Sequence, residues 1–239
     1  RYLVWLRTQD IPYMNRAPGA TCLWSLRTGR MGTVAAPLNS RKGCGGVMRV
    51  APAGLAFPPG QAFEQGVAFA AITHGHPSGY LPAGVLADLI ACLLEGESLE
   101  QALADALVEL RTWPGHEETL AAIKLALELV SAGVPHIDAI SRLGEGWVGE
   151  EALAISLYCA FSSPDDWETA VLMAVNHSGD SDSTGCITGA ILGTLHGVEA
   201  LPQPWVAQLE SAPGIRAVAH DLFRVVREGI EPLSRYDDA

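Results

Sequence analysis

Apolar side chains along most of this chain recur at intervals of three and four residues, and the period-two alternation of a half-buried strand is sustained nowhere. That periodicity predicts an all-α protein, a compact multi-helix domain, because each stretch offers one apolar face to a neighbour. Leu99, Leu103, Ala106, Leu107 and Leu110 share such a face, preceded by Ser98 and Gln101 in the pattern of a capping box. Leu120, Ile123, Leu127 and Val130 repeat it up to Gly133 and Pro135. Ser163 as cap, Pro164 at the first helical position and Asp165 and Asp166 in the first turn predict a helix through Trp167, Val171 and Val175. Pro213 precedes another, with Ile215, Val218, Leu222 and Val225 inward. Leu3 and Leu6 are in phase within residues 1–9, which read as the tail of a helix beginning upstream. No linker, repeat or low-complexity tract intervenes, so residues 1–239 are expected to form one domain.

Composition narrows the function classes. With 49% hydrophobic and 18% charged residues the chain can bury a core and is not disordered. Its 27 acidic against 15 basic residues give a formal charge of −12, which repels a phosphate backbone and argues against a nucleic-acid partner. Glycine, proline or a charge interrupts every apolar run before the roughly 20 residues needed to cross a bilayer, so no membrane partner is expected. The five cysteines, Cys22, Cys44, Cys92, Cys159 and Cys186, are odd in number and contain no CxxC pair. Reduced thiols and a cytoplasmic location are the expectation.

Three segments break the helical rhythm: 39–52, 73–80 and 176–193. The last holds Asp180, Ser181, Asp182 and Ser183 directly before an apolar helix. Those oxygens suit either a helix cap or a hard divalent cation such as Mg²⁺, and the second carboxylate with its repulsion favours the cation. Gly185, Gly189 and Gly193 follow at i, i+4 and i+8, a strip without side chains that predicts close packing by a neighbouring element. Residues 39–49 form a Gly-rich stretch with Arg41, Lys42 and Arg49, a tight turn or an anion cradle. Its Cys44 reads either as a nucleophile or as a small buried hydrophobe. His74 and His76 read first as ordinary turn histidines, with ligand contact by His74 as the second reading. Trp147, between Gly146 and Val148 in a Gly-rich loop, suits core packing or stacking on a base or sugar.

Taken in order, GCGGVMRVAP at 43–52, THGHP at 73–77 and GDSDSTG at 179–185 resemble the Gly-rich loop, His turn and GDTDT metal motif of the ADP-ribosylglycohydrolase family, whose members include the dinitrogenase-reductase-activating glycohydrolases. The resemblance runs over about 17–197. It implies an all-α fold around two Mg²⁺ ions, with Mn²⁺ as a substitute, and hydrolysis of the glycosidic bond joining ADP-ribose to a protein side chain or small molecule. It assigns Asp180, Asp182 and Ser183 as metal ligands, Ser183 standing where Thr is usual. It places Asn39, Gly43, Gly45, Gly46, Val47, Met48, His74 and Trp147 along the ADP-ribose cleft. Such relatives carry an acidic Thr-Asp-Asp motif near their start, and none precedes Asn39 here. The chain is therefore expected to lack an N-terminal segment that supplies the remaining ligands. A non-catalytic ADP-ribose-binding or structural member of the same fold is the alternative reading.

Overall fold

A computed structural model of the chain describes residues 1–231. Thirteen α-helices follow one another: α1 Tyr2–Thr8, α2 Ala20–Arg27, α3 Ala51–Ala56, α4 Gln61–Ala71, α5 Pro77–Leu94, α6 Leu99–Leu110, α7 Glu117–Ala132, α8 His136–Leu143, α9 Gly149–Ser162, α10 Trp167–Val175, α11 Ser181–His196, α12 Gln203–Gln208 and α13 Ala212–Arg227. Among the described residues the only β pairing outside helices is one antiparallel bridge between Gly43 and Val148. The expected all-α class is what forms. Two compact units emerge, residues 17–200 and residues 1–16 with 201–231.

In the larger unit α5 is the axis. Nearly every side chain from Ser78 to Leu93 is buried, so the helix has no polar face and must be surrounded. Helices α3, α4, α6, α9 and α11 pack on it. Small residues make that approach possible: a Cβ on Gly66 of α4 would lie 2.6 Å from Ala83 O, and one on Gly54 of α3 2.4 Å from Ala87 O. Pro82 sits inside α5 and withdraws the N–H that would meet Ser78 O. That carbonyl instead faces Gly149, where a Cβ would lie 2.5 Å away. Although α5 is 18 residues long and apolar enough to span a membrane by length and composition, 89% of it is buried inside the protein.

Local signals explain most boundaries. Ser98 caps α6, its Oγ accepting from Gln101 N at 3.2 Å, but the Gln101 side chain bonds Asp105 Oδ1 at 2.8 Å instead of reaching back, so only half of the capping box forms. The predicted α6 face is buried, joined by Ala102. In α7 the buried line runs through Thr119, Ile123, Ala126 and Leu129, with Leu120, Leu127 and Val130 half-buried beside it. Helix α10 starts later than Ser163 and Pro164 predict. Asp166 is its cap, its carboxylate taking Thr169 N at 3.0 Å and Thr169 Oγ1 at 2.6 Å, two bonds that a Ser163 cap would forgo. Trp167 is half-buried and Val171 buried there, but Val175 is exposed.

The smaller unit corrects another expectation. Ile215 and Val218 of α13 are 53% and 55% exposed, while Leu222 and Val225 are half-buried. Three helices, α1, α12 and α13, supply too little surface to cover every apolar side chain they carry. Arg16 and Glu210 form an exposed ion pair within this unit at 2.5 Å.

Candidate metal centre and the loops around it

The start of α11 is shaped by a histidine that the sequence did not single out. His177 Nδ1 accepts from Gly179 N at 3.1 Å, which leaves Nε2 as the protonated nitrogen donating to Thr184 Oγ1 at 3.0 Å; Thr184 in turn donates to Ala174 O at 2.7 Å. The chain of bonds fixes one neutral tautomer and locks the turn before Asp180. A Cβ on Gly179 would fall 1.8 Å from Glu145 O, so only glycine fits where this turn crosses the 144–149 loop. Asp180 N donates to that same carbonyl at 2.7 Å.

On this rigid turn Asp180 and Asp182 meet. Asp180 is 9% exposed, and burial followed by the neighbouring Asp182 pushes its carboxyl above the usual range. Asp182 is held below its ordinary value by its contact with Asp180. The helix-cap role accounts for little of this. Asp180 makes no side-chain cap bond, and Asp182 Oδ1 takes Ser183 N at 2.9 Å. Ser183 Oγ donates to Met48 Sδ at 3.2 Å. The groups acting on Asp180 are Asp182, Cys44 and Ser183, none of them cationic. Two carboxylates in contact beside a hydroxyl, without a positive partner, are a donor set that fits a hard divalent cation. Among the described residues no group of three or more His, Cys, Asp or Glu side chains is arranged to hold a metal ion.

Cys44 lies against this pair. Its Sγ donates to Asp180 Oδ2 at 2.6 Å and lies 3.5 Å from Ser183 Oγ. Burial and then the bond to Asp180 push the thiol up to about 12, which removes it as a nucleophile at neutral pH. Its backbone is anchored as well, Cys44 N donating to Trp147 O at 3.1 Å while Gly149 N donates to Lys42 O at 2.8 Å. The 42–44 and 147–149 segments are thereby paired.

The Gly-rich loop packs against a buried imidazole. His74 is 1% exposed, and a Cβ on Gly43 would lie 3.3 Å from its Nε2, one on Gly45 3.2 Å from its Cε1. Gly46 faces Gly79 O, where a Cβ would be 2.7 Å away. Val47 is wholly buried in the core, and Met48 is half-buried beside Ser183. His74 Nδ1 shares a hydrogen bond with Thr73 Oγ1 at 2.8 Å, and burial, then the nearby Arg49 charge, lowers its pKa to about 4. The basic residues that suggested an anion cradle are mostly committed within the protein. Arg49 bonds Gly45 O, Thr73 Oγ1 at 2.7 Å and Phe69 O at 3.1 Å. Lys42 pairs with Glu150 at 2.5 Å and Glu118 at 3.2 Å. Asn39 spends its amide on Thr73 O, Ser25 Oγ, Arg41 N and Gly75 N, joining α2 to the His turn. It also lines a surface groove of about 740 Å³ with Trp24, Leu38, Ser40 and Arg41.

Trp147 is 55% exposed, its Nε1 donating to Glu145 Oε2 at 3.0 Å and its ring free for a planar partner. Glu151 Oε2 collects Glu145 N and Gly146 N, both at 3.1 Å, and so supports this loop from below. The structure thus gathers Gly43, Gly45, Met48, Trp147 and the Asp180–Ser183 turn around one spot, with His74 beneath the loop. No sequence pattern singles out His177, Glu145 or Glu151, whose roles are set by loop crossings.

The helix below the site behaves as its glycines predict. Helix α10 lies on the strip: a Cβ on Gly185 would meet Val175 Cγ1 at 2.5 Å, and one on Gly189 the Trp167 ring at 3.3 Å. Trp167 Nε1 donates to Gly189 O at 3.1 Å.

Known proteins are similar to this chain in sequence and in fold. Similarity is found to ADP-ribosylhydrolase ARH3 of Bos taurus, 26% identical over 215 residues, covering 79% of this chain and 59% of that protein. ADP-ribosylarginine hydrolase Tri1 of Pseudomonas putida is 24% identical over 186 residues, covering 77% of this chain and 46% of that protein. A solved structure titled ADP-ribosylglycohydrolase-related protein complex matches with a TM-score of 0.64 at 26% identity, over 94% of this chain and 72% of that one. The chain spans about half to three fifths of the length of these two curated relatives. The sequence model of the ADP-ribosylglycohydrolase family matches residues 1–231, and the chain therefore belongs to that family.

Proposed function

We propose that the protein hydrolyses the glycosidic bond linking ADP-ribose to a protein side chain or a small molecule, in a Mg²⁺-dependent reaction that Mn²⁺ also supports. The observation that carries this reading is the pair of contacting carboxylates, Asp180 and Asp182, at the start of α11 beside Ser183. These three residues would hold the cation. Bound there, a divalent cation supplies Lewis acidity and orients sugar hydroxyls and a water. Cleavage at the anomeric carbon develops positive charge on the ribose, and a carboxylate-lined site with few free cations favours that charge. The exposed ring of Trp147 gives a flat apolar surface for a base or sugar within the same cleft. Gly43, Gly45 and Met48 form the adjacent wall. Cytoplasmic residence accords with five free thiols, four of them buried.

The test is release of ADP-ribose from an ADP-ribosylated protein, with Mg²⁺, with Mn²⁺ and with chelator. Metal-dependent release that an Asp180→Ala, Asp182→Ala double variant loses supports the proposal. Binding of ADP-ribose without release under every metal condition supports the non-catalytic alternative instead.

A further inference from the structure

We propose that Cys44 is a positioning residue for the Asp180 carboxylate and, through it, for the cation; this rests on the metal reading above. Three bonds make a closed figure. Cys44 N is held by Trp147 O at 3.1 Å, Asp180 N by Glu145 O at 2.7 Å, and Cys44 Sγ donates to Asp180 Oδ2 at 2.6 Å. The 44–48 loop, the 144–149 loop and the first turn of α11 therefore share one corner, where the thiol bonds the carboxylate directly and Ser183 Oγ lies 3.5 Å from the sulfur. Cys44 O also accepts from Met48 N at 3.1 Å, so the residue is fixed on both sides of its backbone.

A carboxylate on a single Cβ turns readily about χ2, a broad two-fold torsion. With its backbone N–H tied to one loop and Oδ2 bonded to a side chain of another, Asp180 has that rotation restrained and its carboxylate held in one orientation. Residues that orient a ligand in this way change metal affinity when they are removed, although they never touch the ion. The proposal also accounts for a cysteine at this place. The thiol is 9% exposed and directed at a carboxylate, an arrangement that supplies one donor and no negative charge to the site.

The experiment is calorimetric titration of Mg²⁺ and of Mn²⁺ into the protein and into Cys44→Ala, Cys44→Ser and Asp180→Ala variants, with a metal-free thermal melt of each. Cys44→Ala is expected to weaken metal binding roughly tenfold or more. Cys44→Ser keeps an O–H donor and is expected to stay within about threefold of the parent, with both metal-free melting temperatures close to the parent's. A second readout needs no metal. The infrared S–H band of Cys44, isolated by subtracting the Cys44→Ser spectrum, should shift when Asp180 becomes Asn. Unchanged affinity in Cys44→Ala, while Asp180→Ala abolishes binding, overturns the positioning role and leaves the cation reading standing. Parent-like binding in Asp180→Ala overturns the cation reading itself, and this proposal with it.

Discussion

Lowering the pH should destabilise the protein through one residue, His74, by an amount the structure sets. The imidazole is 1% exposed under Gly43 and Gly45, and its pKa falls from 6.5 to about 4 because burial penalises the cation and Arg49 repels it. The neutral ring is the native form. In the unfolded chain it takes a proton near pH 6.5, so the stability that comes from a neutral His74 is complete above that value. It drains away as pH falls toward 4, below which both states are protonated. At about 1.4 kcal/mol per pH unit the interval corresponds to roughly 3 kcal/mol, a large share of the ~5–15 kcal/mol available to a domain. Urea unfolding at half-unit steps from pH 8 to pH 4, on the parent and on His74→Gln, isolates the effect, since carboxylates that titrate in the same range are common to both. The parent's stability relative to the variant should drop by about 3 kcal/mol between pH 7 and pH 4. Curves running parallel over that range would show that His74 is not buried as a neutral ring, and that the glycines of the loop are not there to accommodate it.

Other perturbations read other parts of the structure. Gly189→Leu places a large side chain where even a Cβ would lie 3.3 Å from the Trp167 ring, and thermal unfolding should show a loss of roughly 1–3 kcal/mol or more. Lys42→Met leaves the Glu150 carboxylate, 7% exposed, without its cation. A loss of about 1–3 kcal/mol is expected at pH 7, shrinking as pH falls through the raised pKa of Glu150 because the protonated acid needs no partner. Gly179→Ala would put a methyl group 1.8 Å from Glu145 O, and a lowered melting temperature together with weakened Mg²⁺ binding should follow.

The helices that could be read from sequence are the half-exposed ones. Helix α6 was legible because Leu99, Leu103 and Leu110 alternate with polar residues on a 3.6-residue period. Helix α5 gave no such contrast. It is apolar on every side, and Gly79, Pro82 and Gly84 within it look like breakers until the close packing they permit is seen. Helix α13 misled in the opposite direction, a clear stripe with Ile215 and Val218 left exposed. At the site, hard donors crowded into residues 180–183 point to a cation because their chemistry is local. The thiol that meets Asp180 lies 136 residues away, and no spacing rule connects the two. The Gly-rich stretch reads from sequence as a tight turn or an anion cradle, and the pattern does not tell that Gly43 and Gly45 lie against His74, a residue named separately on another segment.

The burial of α5 also bears on how the chain is made. During synthesis this segment leaves the ribosome as an 18-residue apolar stretch with the hydropathy of a membrane span, and such exposed apolar surface promotes aggregation until it is covered. Its covers arrive promptly, because α4 directly precedes it and α6 directly follows it in the chain, and both pack along it. Contacts so close in sequence close small loops at little entropic cost. A three-helix hairpin can therefore shield α5 before residue 111 has been followed by α9 and α11, whose arrival would complete a shelter already begun.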